Sequence, residues 1–144
     1  MMPLLSAMKA RAKLRKDKER AKVRRAKARI KKQQSPTYLK AKADKLFHAL
    51  IRSRGYCESG RVSHKGPLSC AHGFSRRYLA VRWDTRNAWC FCAGCHLYYT
   101  HRPIEWDNWM LATSIHYQEL RGLALYGQCD INEVIERLES VPSE

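Results

Sequence analysis

Soft metal ligands, imidazoles and guanidinium groups share one short segment, residues 70–96, whose sequence is CAHGFSRRYLAVRWDTRNAWCFCAGCH. Within it, two residues separate Cys92 from Cys95 at a predicted strand-to-helix junction. Two thiolates at this spacing can bind one zinc ion from a tight turn. Cysteines in a reducing compartment are more often metal ligands than disulfides, and we therefore predict that this pair is half of a tetrahedral zinc site.

The other two zinc ligands are expected upstream of this pair. Cys57 is the third ligand, but the position that would complete a second CxxC is occupied by Gly60. The fourth ligand is therefore predicted to be Cys70, with His64 as the less favoured alternative. The two remaining cysteines of the chain are interpreted as packed thiols.

A second kind of chemistry is indicated by His72, Asn87 and His96. A nuclease needs a base that activates water, a divalent cation on the scissile phosphate and a group that fixes the geometry. His72, at the end of a predicted strand, is the candidate base, and His96, on the first turn of the next helix, is the candidate cation ligand. Asn87 lies in the loop between them. A single histidine is more often a packed or surface residue, but the spacing of these residues from the CxxC pair favours a site.

Arginines occupy the loop between the candidate base and the candidate cation ligand. They are Arg76, Arg77, Arg82 and Arg86. Guanidinium groups bind phosphate oxygens in a fork, so the loop is predicted to face nucleic acid. Tyr78 and Trp83 are candidates for stacking on an unpaired base, although a core position is slightly favoured for Trp83.

The charge of the chain indicates a polyanionic partner. Its formal net charge is +15, and residues 9–32 hold 14 of its 28 Lys and Arg. We predict a mobile or partly helical arm that lies along a DNA backbone, the alternative being a solvated tail that only raises solubility. A membrane surface is disfavoured because the arm has no aromatic anchors. No apolar run approaches a membrane span and the apolar stretch near the first residues is too short for a signal peptide, so a cytoplasmic location is expected.

The elements that must position these residues form an α+β pattern. A helix is predicted from Ser35-Pro36 to near Gly55, followed by facing strands at LSCAH (68–72) and AWCFC (88–92) and by a helix just after Cys92. Further helices are predicted from Pro103, across 115–125 and after a capping box formed by Asp130 and Glu133. The predicted domains are a basic arm, 1–34, and a domain with C-terminal helices, 35–144.

The order of His72 in LSCAHGFSRR, Asn87 in RWDTRN and His96 in CFCAGCH resembles that of HNH endonucleases, in which a metal-binding His or Asn directly follows a CxxC pair. More narrowly, YLKAKADKLFHALIRSRGYC behind a Lys/Arg-rich arm, followed by AHGF and CAGCH, is similar to the phage NinG (Rap) recombination nucleases. The likeness covers most of residues 10–100.

This resemblance implies a zinc-stapled ββα-metal finger of the treble-clef type, flanked by helices. It implies a phosphodiester hydrolase that acts on branched DNA, such as Holliday junctions and other recombination intermediates, in the host cytosol for a phage-encoded protein. His72 is then catalytic, His96 binds the catalytic cation and Asn87 has a supporting role. The cysteines predicted above as ligands hold the structural zinc. Mg²⁺ is the default catalytic cation and Mn²⁺ the expected better activator.

The chain departs from the HNH pattern at Ala71, where many members carry a carboxylate or a second histidine before the base. The second protein ligand of the catalytic cation is therefore open, with Asp84 and His101 as candidates. The same departure leaves a rival function, a non-catalytic treble-clef protein that binds nucleic acid through the zinc knuckle and the arm. The sequence does not decide between a monomer and a homodimer.

Overall fold

The computed structural model describes the backbone of residues 3–142 and the side chains of Met8 and residues 11–142. The chain folds into mixed helix and sheet, as predicted. The elements are, in order, α1 (Pro3–Gln33), α2 (Pro36–Arg52), β1 (Leu68–His72), α3 (Leu79–Arg82), a 3-10 turn (Thr85–Asn87), β2 (Ala88–Cys92), α4 (Ala93–Thr100), α5 (Pro103–Thr113), α6 (Tyr117–Tyr126) and α7 (Ile131–Glu139).

The basic arm is a single long helix, α1. Its scattered apolar side chains Leu14, Val23 and Ile30 are exposed, so they do not form a buried face. Between residues 3 and 142, no helix combines the length and the apolar character needed to cross a membrane. The chain divides into two compact units whose boundary lies between Leu39 and Lys40.

The N-terminus of α2 confirms the predicted cap. The hydroxyl of Ser35 accepts a hydrogen bond from the main-chain N–H of Tyr38 at 3.3 Å, and Pro36 is the first helical residue. Proline fits this position because its fixed φ suits a helix and the first helical N–H has no partner within the helix.

The two strands form an antiparallel hairpin whose residues match the predicted LSCAH and AWCFC segments. Leu68 lies opposite Cys92, and His72 lies opposite Ala88. Side chains alternate between the two faces of a strand, so Cys70 and His72 share one face of β1 while Ser69 lies on the other.

One face of the hairpin carries an aromatic core. Trp89 and Phe91 of β2 meet Trp106 and Trp109 of α5, with ring centroids 5.2–5.8 Å apart in edge-to-face contacts. The rings of Trp106 and Trp109 stack at 5.3 Å. Aromatic pairs in such arrangements stabilise a core beyond the area that they bury, which helps a domain of this size to hold α5 on the sheet.

The loop between the strands is anchored to α2. Trp83 is 2 % exposed, and its indole N–H donates to a carboxylate oxygen of Asp44 at 2.9 Å. Trp83 is therefore a core residue, the interpretation that the sequence slightly favoured. At the far end of the chain, the carboxylate of Asp130 caps α7 by accepting from the N–H of Asn132 at 2.8 Å.

Candidate metal centre and active site

Four side chains form a compact metal-binding cluster at the junction of β2 and α4. Their ligand atoms all lie within 4.8 Å of one another, and the residues, here called the knuckle, are Cys57, His64, Cys92 and Cys95. Nδ1 of His64 is 3.6 Å from Sγ of Cys95 and 3.9 Å from Sγ of Cys92. Ligand atoms around a tetrahedral zinc ion are about 3.4 to 3.8 Å apart, so the donor set and its spacing fit structural zinc.

Cys57 reaches the knuckle because its segment runs beside β2. The main-chain N–H of Glu58 donates to the carbonyl of Cys90 at 2.8 Å, and the N–H of Cys90 donates back to the Glu58 carboxylate at 2.6 Å. The N–H of Cys92 then donates to the sulfur of Cys57 at 3.2 Å. These contacts hold Cys57 next to the last residue of β2.

His64 reaches the knuckle on a loop that docks on the start of α4. The N–H of Gly94 donates to the carbonyl of Lys65 at 2.8 Å, and the N–H of Lys65 faces the sulfur of Cys92 at 3.4 Å. Gly66 has φ +79°, a conformation that glycine adopts at little cost. The turn at Gly66 therefore brings His64 to the two cysteines of the CxxC pair.

The surroundings of Cys92 favour the thiolate form of its side chain. Burial alone would raise its pKa, but main-chain N–H groups of Cys95 and Lys65 donate to its sulfur and outweigh burial, so its pKa falls to about 7. Metals bind the thiolate form of cysteine, so these N–H groups favour the ligand form of the side chain.

The fourth ligand differs from the predicted one, because His64 and not Cys70 completes the knuckle. Cys70 pairs with Cys90 across the hairpin, two residues away from Cys92 along the strand. Two residues of strand span about 6.6 Å, which places Cys70 beyond reach of the ion. Cys70 instead lies beside His72, and burial raises the pKa of its thiol to about 12.

His72 ends β1 as predicted, and one of its ring nitrogens is fixed. Nε2 lies 3.0 Å from the carbonyl oxygen of Arg82, which can only accept, so Nε2 carries the proton and Nδ1 has the lone pair. Burial lowers the pKa of His72 to about 4. The ring is therefore neutral at physiological pH and can accept a proton at Nδ1.

His96 lies on the first turn of α4. As in His72, one of its ring nitrogens is held by a hydrogen bond to an oxygen, here that of Ser69. The hydroxyl of Ser69 donates to the carbonyl of Phe91 at 3.0 Å, so its oxygen accepts from Nδ1 of His96 at 2.9 Å. This leaves the lone pair of Nε2 free, as in metal-binding histidines whose other nitrogen is held by a hydrogen bond. Burial, assisted by the positive charge of Arg76, lowers the pKa of His96 and keeps the ring neutral.

Asn87 is fully buried and braces the loop that follows the candidate base. Its side-chain oxygen accepts from the N–H of Phe74 at 2.7 Å, and its amide nitrogen donates to the carbonyl of Val81 at 2.9 Å. Its main-chain oxygen accepts from the N–H of Gly73, the residue after His72, at 2.9 Å. Asn87 thus holds the loop by its side chain and the end of β1 by its main chain.

The four loop arginines divide into two pairs. Arg82 donates hydrogen bonds to both carboxylate oxygens of Asp44, at 2.9 and 2.6 Å. Arg86 forms ion pairs with Asp84 at 2.7 Å and with Glu119 at 2.6 Å. These two guanidinium groups are therefore engaged within the fold. The other two, Arg76 and Arg77, are exposed, and Arg77 donates to the hydroxyl of Tyr78.

Among the residues that the structure describes, His96 belongs to no group of three or more potential metal ligands. The carboxylate of Asp84 caps the 3-10 turn and pairs with Arg86, while His101 is the residue at which α4 ends. Within the described part of the chain, the rings of His72 and His96 have separate partners and are not in contact.

The sequence interpretation missed His48, which lies on α2 beside Cys70 and His72. It falls four residues after Asp44 and one after the buried Phe47, so the apolar periodicity of α2 was the available signal.

No protein family, curated protein or solved structure matches this chain.

Proposed function

We propose that this protein is a metal-dependent HNH-type endonuclease that hydrolyses phosphodiester bonds in DNA. One observation carries the proposal: a strand-strand-helix unit contains two neutral histidines, His72 and His96, each with one ring nitrogen held by a hydrogen bond to an oxygen. The other nitrogen of His72 has only a long contact, 3.9 Å, with the sulfur of Cys70. The knuckle lies at the β2–α4 junction of the same unit. A base and a cation ligand on a rigid scaffold are what phosphodiester hydrolysis requires.

In the proposed reaction, Nδ1 of His72 takes a proton from the attacking water. The carbonyl of Arg82 holds the ring in the tautomer that makes this nitrogen the acceptor. Nε2 of His96 would hold Mg²⁺ or Mn²⁺, and the cation, when bound, would supply positive charge at the phosphate group and its leaving oxygen. Asn87 acts as a positioning residue, because it fixes both ends of the loop that begins beside His72.

Arg76 is the candidate residue for binding the scissile phosphate. Its positive charge contributes to the lowered pKa of His96 after burial, and to the lowered pKa of His72 after burial and the charge of His48. Its side chain is exposed and has no carboxylate partner among the described residues.

The substrate that we propose is branched DNA of the kind formed in recombination. The basic helix α1 supports a nucleic-acid partner because its described side chains are solvent-exposed and strongly cationic. The preference for branched molecules rests on the resemblance to the NinG nucleases. Shape recognition also suits a chain whose loop cations address phosphates rather than base edges.

Nicking of supercoiled plasmid, with and without Mg²⁺ or Mn²⁺, tests the proposal. His72→Ala is expected to reduce the nicking rate at least about a hundredfold, the lower end of what general-base catalysis contributes. His96→Ala is expected to show a defect that high Mn²⁺ partly relieves, since mass action refills a weakened metal site but does not replace a base. Four-way, three-way and linear DNA substrates then report the preference for branches.

The matched control is His116→Ala, since the His116 side chain is 41 % exposed and contacts Glu119 on α6, away from both candidate histidines. It should nick at the parental rate. Binding of DNA by His72→Ala, measured by gel shift, should remain close to parental. A His72→Ala protein that nicks as fast as the parent would show that the HNH proposal is wrong.

Ala71 favours a second candidate function, a zinc protein that binds nucleic acid without cutting it. At this position the hairpin offers a methyl group instead of a cation ligand, and His96 has no acidic neighbour among its described contacts. DNA binding by the parental protein without metal-dependent nicking of any substrate would support this alternative.

A further inference from the structure

A second cluster of metal-binding side chains lies on the α2 face of the hairpin. It consists of His48, Cys70 and His72, whose ligand atoms all lie within 4.8 Å of one another. None of the three belongs to the knuckle. Cys70 and His72 are two residues apart on one face of β1, and His48 approaches them from α2, with its ring centroid 5.7 Å from that of His72.

The polar atoms in this cluster are weakly satisfied. Nε2 of His48 is buried and has no hydrogen-bond partner among the residues that the structure describes. Nδ1 of His72 carries a lone pair, and its closest polar neighbour is the sulfur of Cys70 at 3.9 Å. A buried polar atom without a partner is costly, so an ion that binds the imidazole of His48 would stabilise the fold.

We propose that His48, Cys70 and His72 form a second transition-metal site, distinct from the knuckle and from the cation site at His96. Two imidazoles and one thiolate are the donors that Zn²⁺ and Co²⁺ prefer, whereas Mg²⁺ selects oxygen ligands. The 3.9 Å between sulfur and nitrogen is close to the spacing of about 3.4 to 3.8 Å around a tetrahedral ion. Three protein ligands leave a fourth position for water.

Metal at this site would occupy the same Nδ1 of His72 that the proposed hydrolysis uses as a base. Excess zinc is therefore expected to switch the nuclease off. Both histidines are partly exposed, which leaves a path for the ion, while Cys70 is 9 % exposed. The existence of the site does not depend on the proposed function, and only its inhibitory effect does.

Cobalt titration of the metal-stripped full chain tests the site. Thiolate-to-cobalt absorption reports only ions bound by cysteine, so a cation at His96 does not contribute. The parent is expected to give two absorption steps, one from the knuckle and one from the second site. Cys70→Ser should lose one step, and His48→Gln should weaken the same step by at least about tenfold.

A control variant and an internal measure of folding accompany this experiment. Cys129→Ser removes a thiol outside both clusters and should keep two steps. The knuckle step itself reports folding, so if Cys70→Ser loses both steps, His48→Gln decides the outcome. A single step in the parent, or a second step of unchanged affinity in His48→Gln, overturns the inference.

Zinc inhibition of nicking gives a second, separable measurement. If the protein nicks DNA, micromolar zinc should slow the parent more than His48→Gln, each compared with its own rate without zinc. A protein that shows two cobalt steps but never nicks DNA would refute the proposed function and leave the metal site intact.

Discussion

Nε2 of His72 donates a hydrogen bond of 3.0 Å to the carbonyl oxygen of Arg82, and the side chain of Arg82 is itself held by Asp44. The orientation of the candidate base is thus set by a residue ten positions later, which is fixed by an ion pair to α2. Asp44 also accepts from the indole of Trp83, so one carboxylate holds two neighbouring residues of the loop.

Asp44→Asn is expected to destabilise the protein by about 1 to 3 kcal/mol at pH 7, because the substitution removes the charge that pairs with a partly buried Arg82. Burial raises the pKa of Asp44, but hydrogen bonds from Arg82 and Trp83 outweigh it, and the pKa is lowered overall. Stability from this pair is therefore present above the unfolded-state pKa and lost as pH falls through the folded-state value.

Urea unfolding of parent and Asp44→Asn at pH 7 and at pH 3 measures this effect. The difference between the two proteins should shrink at pH 3, because this pH lies below the ordinary pKa of an aspartate and the carboxyl of the unfolded chain is then largely protonated. Both proteins lose knuckle zinc in acid, so the variant is compared with the parent at each pH. Glu139→Gln, in a more exposed pair with Lys42, should change stability by less than about 1 kcal/mol. A difference that is equal at both pH values would contradict the assigned role of the charge.

Asn87→Ala is expected to cost about 1 to 3 kcal/mol, because it leaves the N–H of Phe74 without its acceptor and removes one of the donors to the carbonyl of Val81. Thermal unfolding by circular dichroism measures the loss. Asn108→Ala, an exposed asparagine on α5, is the matched control and should lie within about 0.5 kcal/mol of the parent. Equal stability of the two variants would show that Asn87 does not brace the loop.

Local patterns in the sequence identified the elements well. Both strands match the predicted segments, because Pro67 precedes the first, a turn that ends at Asn87 precedes the second, and the second contains Trp89 and Phe91. The capping residues Ser35 and Asp130 also lie at helix starts, and each makes a hydrogen bond to a nearby main-chain N–H. These features depend on neighbours within four residues, which the sequence displays directly.

The errors concern contacts between distant residues. His64 displaced Cys70 as the fourth ligand because the choice depends on the hairpin register and on how a glycine turn docks on α4. Arg82 was interpreted as a phosphate ligand, yet it pairs with Asp44, 38 residues earlier. No periodicity reveals which carboxylate will meet which arginine, so engaged and free cations look alike in the sequence.

His64→Ala is expected to weaken zinc binding at the knuckle by at least about tenfold, since it removes one of four ligands. Cys95→Ser should have a larger effect and should unfold the unit that contains the hairpin, because structural zinc contributes folding energy directly. Competition with a chromogenic chelator measures the affinity. His101→Ala, another exposed histidine near α4, should bind knuckle zinc as the parent does. If Cys70→Ser releases knuckle zinc and His64→Ala does not, the ligand assignment made from the structure is wrong.

Deleting residues 1–32 is expected to weaken binding to every DNA sequence alike, because α1 carries half of the Lys and Arg and offers no base-specific pattern. Each lost phosphate contact should reduce the slope of log K against log salt by about 0.9. Fluorescence anisotropy with a labelled four-way junction and a linear duplex, at several salt concentrations, measures both quantities.

The knuckle and the hairpin lie outside the deleted segment, so zinc content and thermal unfolding of the shortened protein should match the parent. A variant in which four arm lysines are changed to glutamine separates charge from length and should reproduce part of the slope change. An unchanged salt dependence after deletion would mean that the arm binds something other than the phosphate backbone.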